Sequence, residues 1–221
     1  MCRKNMATNP APVMTMSDYD REQRDTITAV ANCVRSLSPS AVKALKGRIR
    51  AYLGFRADVD AFLQEHFSAI CTVRCYESRQ SACCGREGIT TFFADVAINV
   101  LMSSRKEVES LLDALNRSTR DRKCVYLGKN GCLWRIKPIV CEMFLCERAR
   151  QTVFGRNPAA LVQWKRLRHR QRRYTWPSRP VLFDALEDYF MDKGIHSPLM
   201  YCHNSPGLLR VKARARKKHT G

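Results

Sequence analysis

The sequence lacks a long apolar run. Its longest apolar stretch extends from Phe92 to Met102 and is interrupted by Asp95 and Asn99. A helix that spans a bilayer needs about 20 consecutive apolar residues, so this stretch does not predict a transmembrane segment. Residues 1–16 carry basic side chains but no apolar run of the kind that a secretory signal requires. We therefore expect a soluble, cytoplasmic protein with no membrane contact.

The chain also lacks the short motifs that mark common catalytic sites. It contains no P-loop, no dinucleotide-binding G-x-G-x-x-G after a strand, no G-x-S-x-G elbow and no H-E-x-x-H. No pair of carboxylates stands out as a general acid and base. The sequence therefore assigns no catalytic residue and leaves catalytic activity undecided.

Cysteine is scarce outside one part of the chain. Eight of the 11 cysteines lie between residues 71 and 146, in the patterns C-x3-C-x7-C-C and C-x7-C-x8-C-x4-C. The first group comprises Cys71, Cys75, Cys83 and Cys84, and the second comprises Cys124, Cys132, Cys141 and Cys146. Cysteines that merely filled a hydrophobic core would not be bunched in this way.

Groups of four cysteines are typical of metal centres. Thiolate is the soft ligand that selects zinc, Cu(I) or iron–sulfur clusters, and four thiolates complete a tetrahedral shell. Either one centre built from both groups or two separate centres would use these residues. Two other interpretations stay open. In the first, the cysteines are free and buried as small hydrophobic side chains. In the second, they form disulfides, which the reducing cytosol disfavours.

The second group carries a resemblance to a known family. The segment CVYLGKNGCLWRIKPIVCEMFLC, residues 124–146, resembles the C-terminal half of the YkgJ-type CxxCxxCC family of zinc- or iron-chelating proteins. The features that match are Leu127, Gly131, Trp134, the Lys137-Pro138 pair, Phe144 and, upstream, the Cys83-Cys84 double cysteine. Lys137 and Glu142 stand where the family has arginine, and the spacing of the first cysteines is wider. The resemblance covers about a third of the chain and implies metal binding by the eight cysteines, without implying a specific activity.

On both sides of the cysteines, apolar residues recur at the spacing of an α-helix. Ser17 predicts the N-cap of a first helix, and Ser38-Pro39 opens a second helix that Gly54 is expected to end. A third helix is predicted from about Arg56 to Ala69, and Ser104 with Glu107 predicts the capping box of a later one.

These patterns predict a mainly α fold. We expect a single helical domain over residues 17–205, with a cysteine-rich metal-binding insertion (71–146) that contains a short β-hairpin. A disordered N-terminus (1–16) and a basic, disordered tail (206–221) are expected to flank it.

The local sequence around the second group predicts two geometries. Asn130-Gly131 favours a tight hairpin turn that would bring Cys124 and Cys132 together, with backbone N–H groups near the sulfur atoms. Pro138 predicts the start of a helix that reaches about Val153. On an unbroken helix Cys141 and Cys146 would diverge by about 140°, which favours an iron–sulfur cluster over a single zinc ion. An iron–sulfur cluster is therefore the preferred cofactor and zinc the alternative.

Acidic residues are missing from two segments. Arg148 to Arg179 contains ten Lys or Arg residues and Arg210 to Lys218 contains six, and neither segment has an Asp or Glu. These segments supply most of the net charge of +19. The first hypothesis is thus a metal or redox module. The alternative is a nucleic-acid-binding protein, or one with an acidic partner, in which the metal is structural. A weaker alternative is an enzyme, because the start of the cysteine region also loosely resembles flagellin lysine N-methylases.

Overall fold

The computed structural model describes residues 16–85, 90–117, 123–175 and 180–200. Within these ranges the chain is mainly helical, as predicted, and it contains one small antiparallel sheet. The α-helices are α1 (Asp18–Ser36), α2 (Pro39–Ser68), α3 (Phe93–Met102), α4 (Arg105–Asn116), α5 (Ile139–Glu142), α6 (Glu147–Phe154), α7 (Pro158–Thr175) and α8 (Leu182–Met191). A π-helix, Ala69–Glu77, continues α2, and the strands are β1 (Leu127–Gly128) and β2 (Gly131–Cys132).

The second and third predicted helices are one continuous helix, α2. The prediction that Gly54 ends a helix is wrong, because the buried stripe formed by Tyr52, Phe55 and Val59 passes through this position without a break. Gly54 lies on the exposed side, where a glycine costs a helix little in packing. Tertiary burial has therefore overridden a local helix-ending signal.

Helix α3 is the centre of the fold. All its residues from Phe93 to Leu101 are buried, including the polar Asp95 and Asn99. Ala94 and Ile98 face a core formed with α2, α7 and α8, whereas Val96 and Ala97 belong to a second core formed mainly with α1 and α4. The apolar run that was too short for a membrane is thus the most buried helix of the molecule.

The predicted hairpin is confirmed. Leu127 pairs with Cys132 and Gly128 pairs with Gly131, which follows the Lys129-Asn130 turn and adopts φ +106°. The prediction of one helix from Pro138 to about Val153 is wrong. The chain leaves the short helix α5 at Met143, and Cys146 then adopts an extended conformation as the N-cap of α6. The geometric argument that favoured an iron–sulfur cluster over zinc therefore no longer holds.

Among the described residues, no helix combines the length and the apolar character needed to cross a bilayer. Residues 1–15 of the predicted disordered N-terminus and all of the predicted basic tail, 206–221, lie outside the described residues. The division of the chain into a single domain with two flanking segments therefore stays a prediction.

Candidate metal centre

The first cysteine segment turns back on itself directly after α2. Cys71 and Cys75 lie on the π-helix, none of whose residues is buried. The backbone carbonyl of Cys75 accepts hydrogen bonds from the N–H groups of Gln80 and Ser81, at 2.9 and 3.1 Å. The N–H of Ala82 then donates to the Cys75 sulfur at 3.3 Å. This turn brings the Cys83-Cys84 pair back towards Cys75.

The hairpin joins this segment through backbone contacts. The N–H of Cys124 donates to the carbonyl of Cys84 at 2.9 Å, and Gly85 forms an antiparallel bridge with Lys123. On the other side, the Tyr76 hydroxyl donates to the carbonyl of Gly128 at 3.3 Å. The two cysteine groups are thus held together at two points, although 39 residues separate Cys84 from Cys124.

Backbone N–H groups point at the hairpin sulfur atoms, as the sequence predicted. Cys124 accepts hydrogen bonds from the backbone N–H groups of Tyr126 and Leu127, and Cys132 accepts one from that of Trp134. Each of these contacts lowers the pKa of the thiol that receives it, against the larger effect of burial. N–H donors favour the thiolate form, which is the form that binds a metal.

The third cysteine segment, residues 136–146, is fixed by buried polar side chains of α3. The Asn99 side-chain oxygen accepts the N–H of Ile136 at 2.9 Å, and Asp95 Oδ1 accepts the N–H of Ile139 at 3.0 Å. Asp95 Oδ2 also accepts the N–H of Phe92, at 3.1 Å. Asp95 therefore ties the first turn of α3 to the short helix that carries Cys141.

A buried ionic cluster fixes the same segment from α2. Arg56 donates to the Tyr52 hydroxyl at 3.0 Å and to the Lys137 carbonyl at 2.9 Å, and it pairs with Glu142 at 3.5 Å. Lys137 also pairs with Glu142, at 3.3 Å. Burial alone would raise the pKa of Glu142, but Lys137, Asp60 and Arg56 hold it below its ordinary value. Sequence reasoning missed this cluster, although a charged residue within the apolar stripe of α2 was the signal for it.

The effects of the thiols on one another's pKa indicate two sets of neighbours. Burial first, and then the charges of Cys83, Cys146 and Cys75, raise the pKa of Cys71 to about 11. We call Cys71, Cys75, Cys83 and Cys146 the first set. Three of its members come from the first cysteine group and the fourth from the end of the second group.

The second set comprises Cys84, Cys124, Cys132 and Cys141. Burial first, and then the charges of Cys124, Cys132, Asp95 and Cys83 in decreasing order, raise the pKa of Cys141 to about 12. Cys84 in turn lies within the electrostatic influence of Cys124, Cys132 and Cys141.

The neighbours Cys83 and Cys84 join the two sets. The Cys83 thiol donates a hydrogen bond to the Cys84 sulfur, which raises the pKa of Cys83 and lowers that of Cys84. Among the described residues, Lys137 is a cation close to both sets, since its charge lowers the pKa of Cys83 and that of Cys132.

The structure thus brings all eight predicted cysteines into one neighbourhood, but in sets that differ from the order along the chain. All nine cysteines of the described residues are free thiols. In the same part of the chain, no three His, Cys, Asp or Glu side chains are placed closely enough to hold a metal ion. The thiols therefore sense one another's charge without being at ligand distance.

The ninth described cysteine, Cys33, lies apart from these sets. It lines a cavity of about 510 Å³ between α1 and the turn after α8, together with Asn32, Ser36 and Lys193. Burial raises its pKa and Lys193 lowers it. Cys33 is therefore the natural control for substitutions in the two sets.

Comparisons with protein-family models, with curated protein sequences and with solved structures find no match to this chain. The resemblances to the YkgJ-type family and to lysine N-methylases therefore stay predictions.

Proposed function

We propose that this protein binds metal through its eight clustered cysteines, with four thiolates in each of two adjacent sets. The observation that carries the proposal is the convergence of three separate segments, residues 71–84, 124–132 and 141–146, on one neighbourhood rich in thiols. Three independent anchors support this convergence: the Cys124–Cys84 backbone hydrogen bond, the Asp95–Ile139 hydrogen bond and the Arg56–Glu142 ion pair.

The donors present fit a thiophilic metal. Four thiolates form the tetrahedral shell that zinc takes in structural sites and that iron takes in iron–sulfur clusters. N–H groups directed at Cys75, Cys124 and Cys132 stabilise negative charge on sulfur without adding a side chain to the site. Lys137 offsets part of the charge that eight thiolates would accumulate. The bound metal would supply either a structural cross-link or electron transfer.

The alternative of buried, inert cysteines fits the geometry less well. The side chains of Cys83, Cys132 and Cys141 remain exposed to solvent although neighbouring protein atoms partly desolvate their sulfur atoms, whereas cysteines that serve as hydrophobic side chains are among the most buried residues of a protein. The segment that carries Cys71 and Cys75 has no buried residue at all, so its thiols do not fill a core.

The test is the metal and sulfide content of protein purified without oxygen. We expect stoichiometric iron with acid-labile sulfide and a brown colour, or stoichiometric zinc in a colourless protein. Cys75→Ser, Cys124→Ser and Cys141→Ser, one variant from each segment, should each lower the metal content. Cys33→Ser should leave it unchanged. Protein free of both metals, or equal metal content in all four variants, would contradict the proposal.

A further inference from the structure

Helix α7 has a fixed orientation on the molecule. Its buried stripe consists of Ala160, Trp164 and Leu167. Trp164 stacks on Phe62 with the ring centroids 5.5 Å apart, and Tyr174 stacks on Phe55 at 5.4 Å and donates to the carbonyl of Ala51 at 3.1 Å. The helix therefore lies antiparallel to α2 and presents the opposite side to solvent.

That solvent side is basic along its length. Lys165, Arg166, His169 and Arg173 project from the side opposite the buried stripe, and all four are exposed. Arg166 and Arg173 are two turns apart on one line, about 10 Å along the axis. We call Lys165, Arg166 and Arg173 the basic face.

Three other helices contain internal ion pairs, whereas α7 has no acidic residue with which to form one. Arg21 pairs with Asp18 within α1, Arg105 with Glu109 within α4, and Arg150 with Glu147 within α6. Helix α7 contains no acidic residue, and its Arg170 pairs with Asp58 of α2 instead. Like charges three or four residues apart destabilise a helix by about 0.2–0.5 kcal/mol per pair. An exposed helix face that served only solubility would carry both acidic and basic side chains.

The basic face points away from α2, the helix that leads to the first cysteines, because the opposite side of α7 packs on α2 through Trp164 and Phe62. The face is therefore not placed to neutralise the thiols. Among the described residues, Lys137 is a cation whose charge does act on them, at Cys83 and Cys132. The positive charge of α7 is therefore directed towards solvent or a binding partner.

The chemistry of the face selects the class of partner. Trp164 is buried under the helix, and the Tyr174 ring is stacked on Phe55, so neither offers a platform for unpaired bases. Val162 is the large apolar side chain that α7 exposes, which is too little for insertion into a lipid surface. The exposed side of α7 therefore offers a row of cations that suits phosphate groups. Double-stranded nucleic acids carry more phosphate charge per unit length than single strands do.

We propose that the basic face of α7 binds the phosphate backbone of double-stranded nucleic acid without reading its sequence. This inference stands apart from metal binding, because none of its residues contacts a cysteine of the two sets. The strength of binding should fall steeply with salt, since each phosphate that the protein neutralises releases condensed counterions.

The test is fluorescence anisotropy of labelled 20-base-pair DNA and RNA duplexes with the full-length, metal-loaded protein between 50 and 200 mM salt. The variant Lys165→Gln/Arg166→Gln/Arg173→Gln removes three cations of the face. It should flatten the slope of log affinity against log salt by about 2.7. The matched control is Arg21→Gln/Arg105→Gln/Arg150→Gln, which removes the same number of charges from arginines that pair with an acidic residue of their own helix. It should change the slope by less than one unit.

Two further measurements complete the test. The variant Arg166→Lys/Arg173→Lys, which keeps the charge, should retain binding, and circular dichroism with metal analysis should show all variants folded and loaded. Equal losses in the α7 variant and the control, no binding at 50 mM salt, or binding confined to vesicles with anionic lipid would overturn the inference. Unchanged binding by the α7 variant would do so as well, because the binding site would then lie elsewhere.

Discussion

The backbone N–H of Cys124 donates a hydrogen bond of 2.9 Å to the carbonyl of Cys84. This contact closes a long loop in which α3 and α4 form the connection, and it places the start of the second cysteine group against the end of the first. The thiols are consequently grouped by proximity across the loop. Cys84 joins Cys124, Cys132 and Cys141, while Cys146 joins Cys71, Cys75 and Cys83.

The buried carboxyl of Asp95 should make stability depend on pH. Burial raises its pKa to about 7, although the hydrogen bonds from the N–H groups of Ile139 and Phe92 lower it. A carboxyl with a raised pKa binds its proton more tightly in the folded state. Its contribution to stability is therefore complete below the unfolded pKa of about 4 and is lost as the pH rises through 7.

This dependence is measured by chemical unfolding of metal-loaded wild type and Asp95→Asn at pH 5, 6, 7 and 8. From pH 5 to pH 8 the free energy of unfolding of the wild type should fall by about 2–3 kcal/mol relative to the variant. Parallel pH profiles would show that Asp95 is ionised in the folded protein throughout this range.

The ion pair between Arg56 and Glu142 should be costly to break. Arg56→Met leaves a buried carboxylate with the half-exposed Lys137 as its cation, so we expect the free energy of unfolding to fall by about 3 kcal/mol. Adding Glu142→Leu should recover part of this loss, because no unpaired buried charge would remain.

The control for this pair is Arg150→Met, which removes an exposed pair with Glu147 and should cost less than about 1 kcal/mol. Denaturant titration of the wild type, these three variants and the single variant Glu142→Leu gives the values. Strictly additive losses in the double variant would mean that the two charges do not interact.

Two glycines should respond to alanine in opposite directions. Gly54 lies on the exposed side of α2 with no atom within 4 Å of an added Cβ, so Gly54→Ala should raise the free energy of unfolding by about 0.5–1 kcal/mol. Gly131 has φ +106°, where an L-residue is strained, so Gly131→Ala should lower it by about 1–3 kcal/mol. Thermal and chemical unfolding check both. A loss of stability in Gly54→Ala would indicate a break in α2 at this residue.

Removal of the metal should loosen one part of the molecule selectively. The π-helix Ala69–Glu77 has no buried residues, whereas α3 is buried throughout from Phe93 to Leu101. Ligand bonds rather than a core should therefore hold the π-helix in place. In hydrogen exchange with and without chelator, we expect faster exchange of residues 69–85 and unchanged protection of α3. Equal protection of residues 69–85 in both samples would contradict this.

Local signals in the sequence predicted much of the fold. The hydroxyl of Ser17 caps α1 by accepting the N–H of Asp20, and Ser104 and Glu107 form the expected capping box. The hairpin also forms, with Lys129-Asn130 as its two-residue turn, one position before the Asn130-Gly131 pair that the sequence indicated. Each of these features depends on residues within a few positions of one another, so the sequence pattern is sufficient to identify it.

Features that depend on distant contacts could not be predicted in this way. A glycine such as Gly54 is typical of a helix end, yet the packing of α2 against other helices keeps the helix continuous. The break between α5 and α6 follows from contacts that reach residues 136–142 from Arg56, Asp95 and Asn99, which lie between 37 and 86 positions away. The sequence identified the cysteines as a group, but only their arrangement in space separates them into two sets.

The most direct test of the account is X-ray absorption at the edge of the bound metal. Binding through two sets of four thiolates predicts about four sulfur neighbours per metal atom at about 2.3 Å in the wild type. It also predicts that Cys146→Ser and Cys124→Ser each disturb one set, so that only the double variant loses all its metal. A first shell made mainly of nitrogen and oxygen, or complete loss of metal in either single variant, would contradict the account.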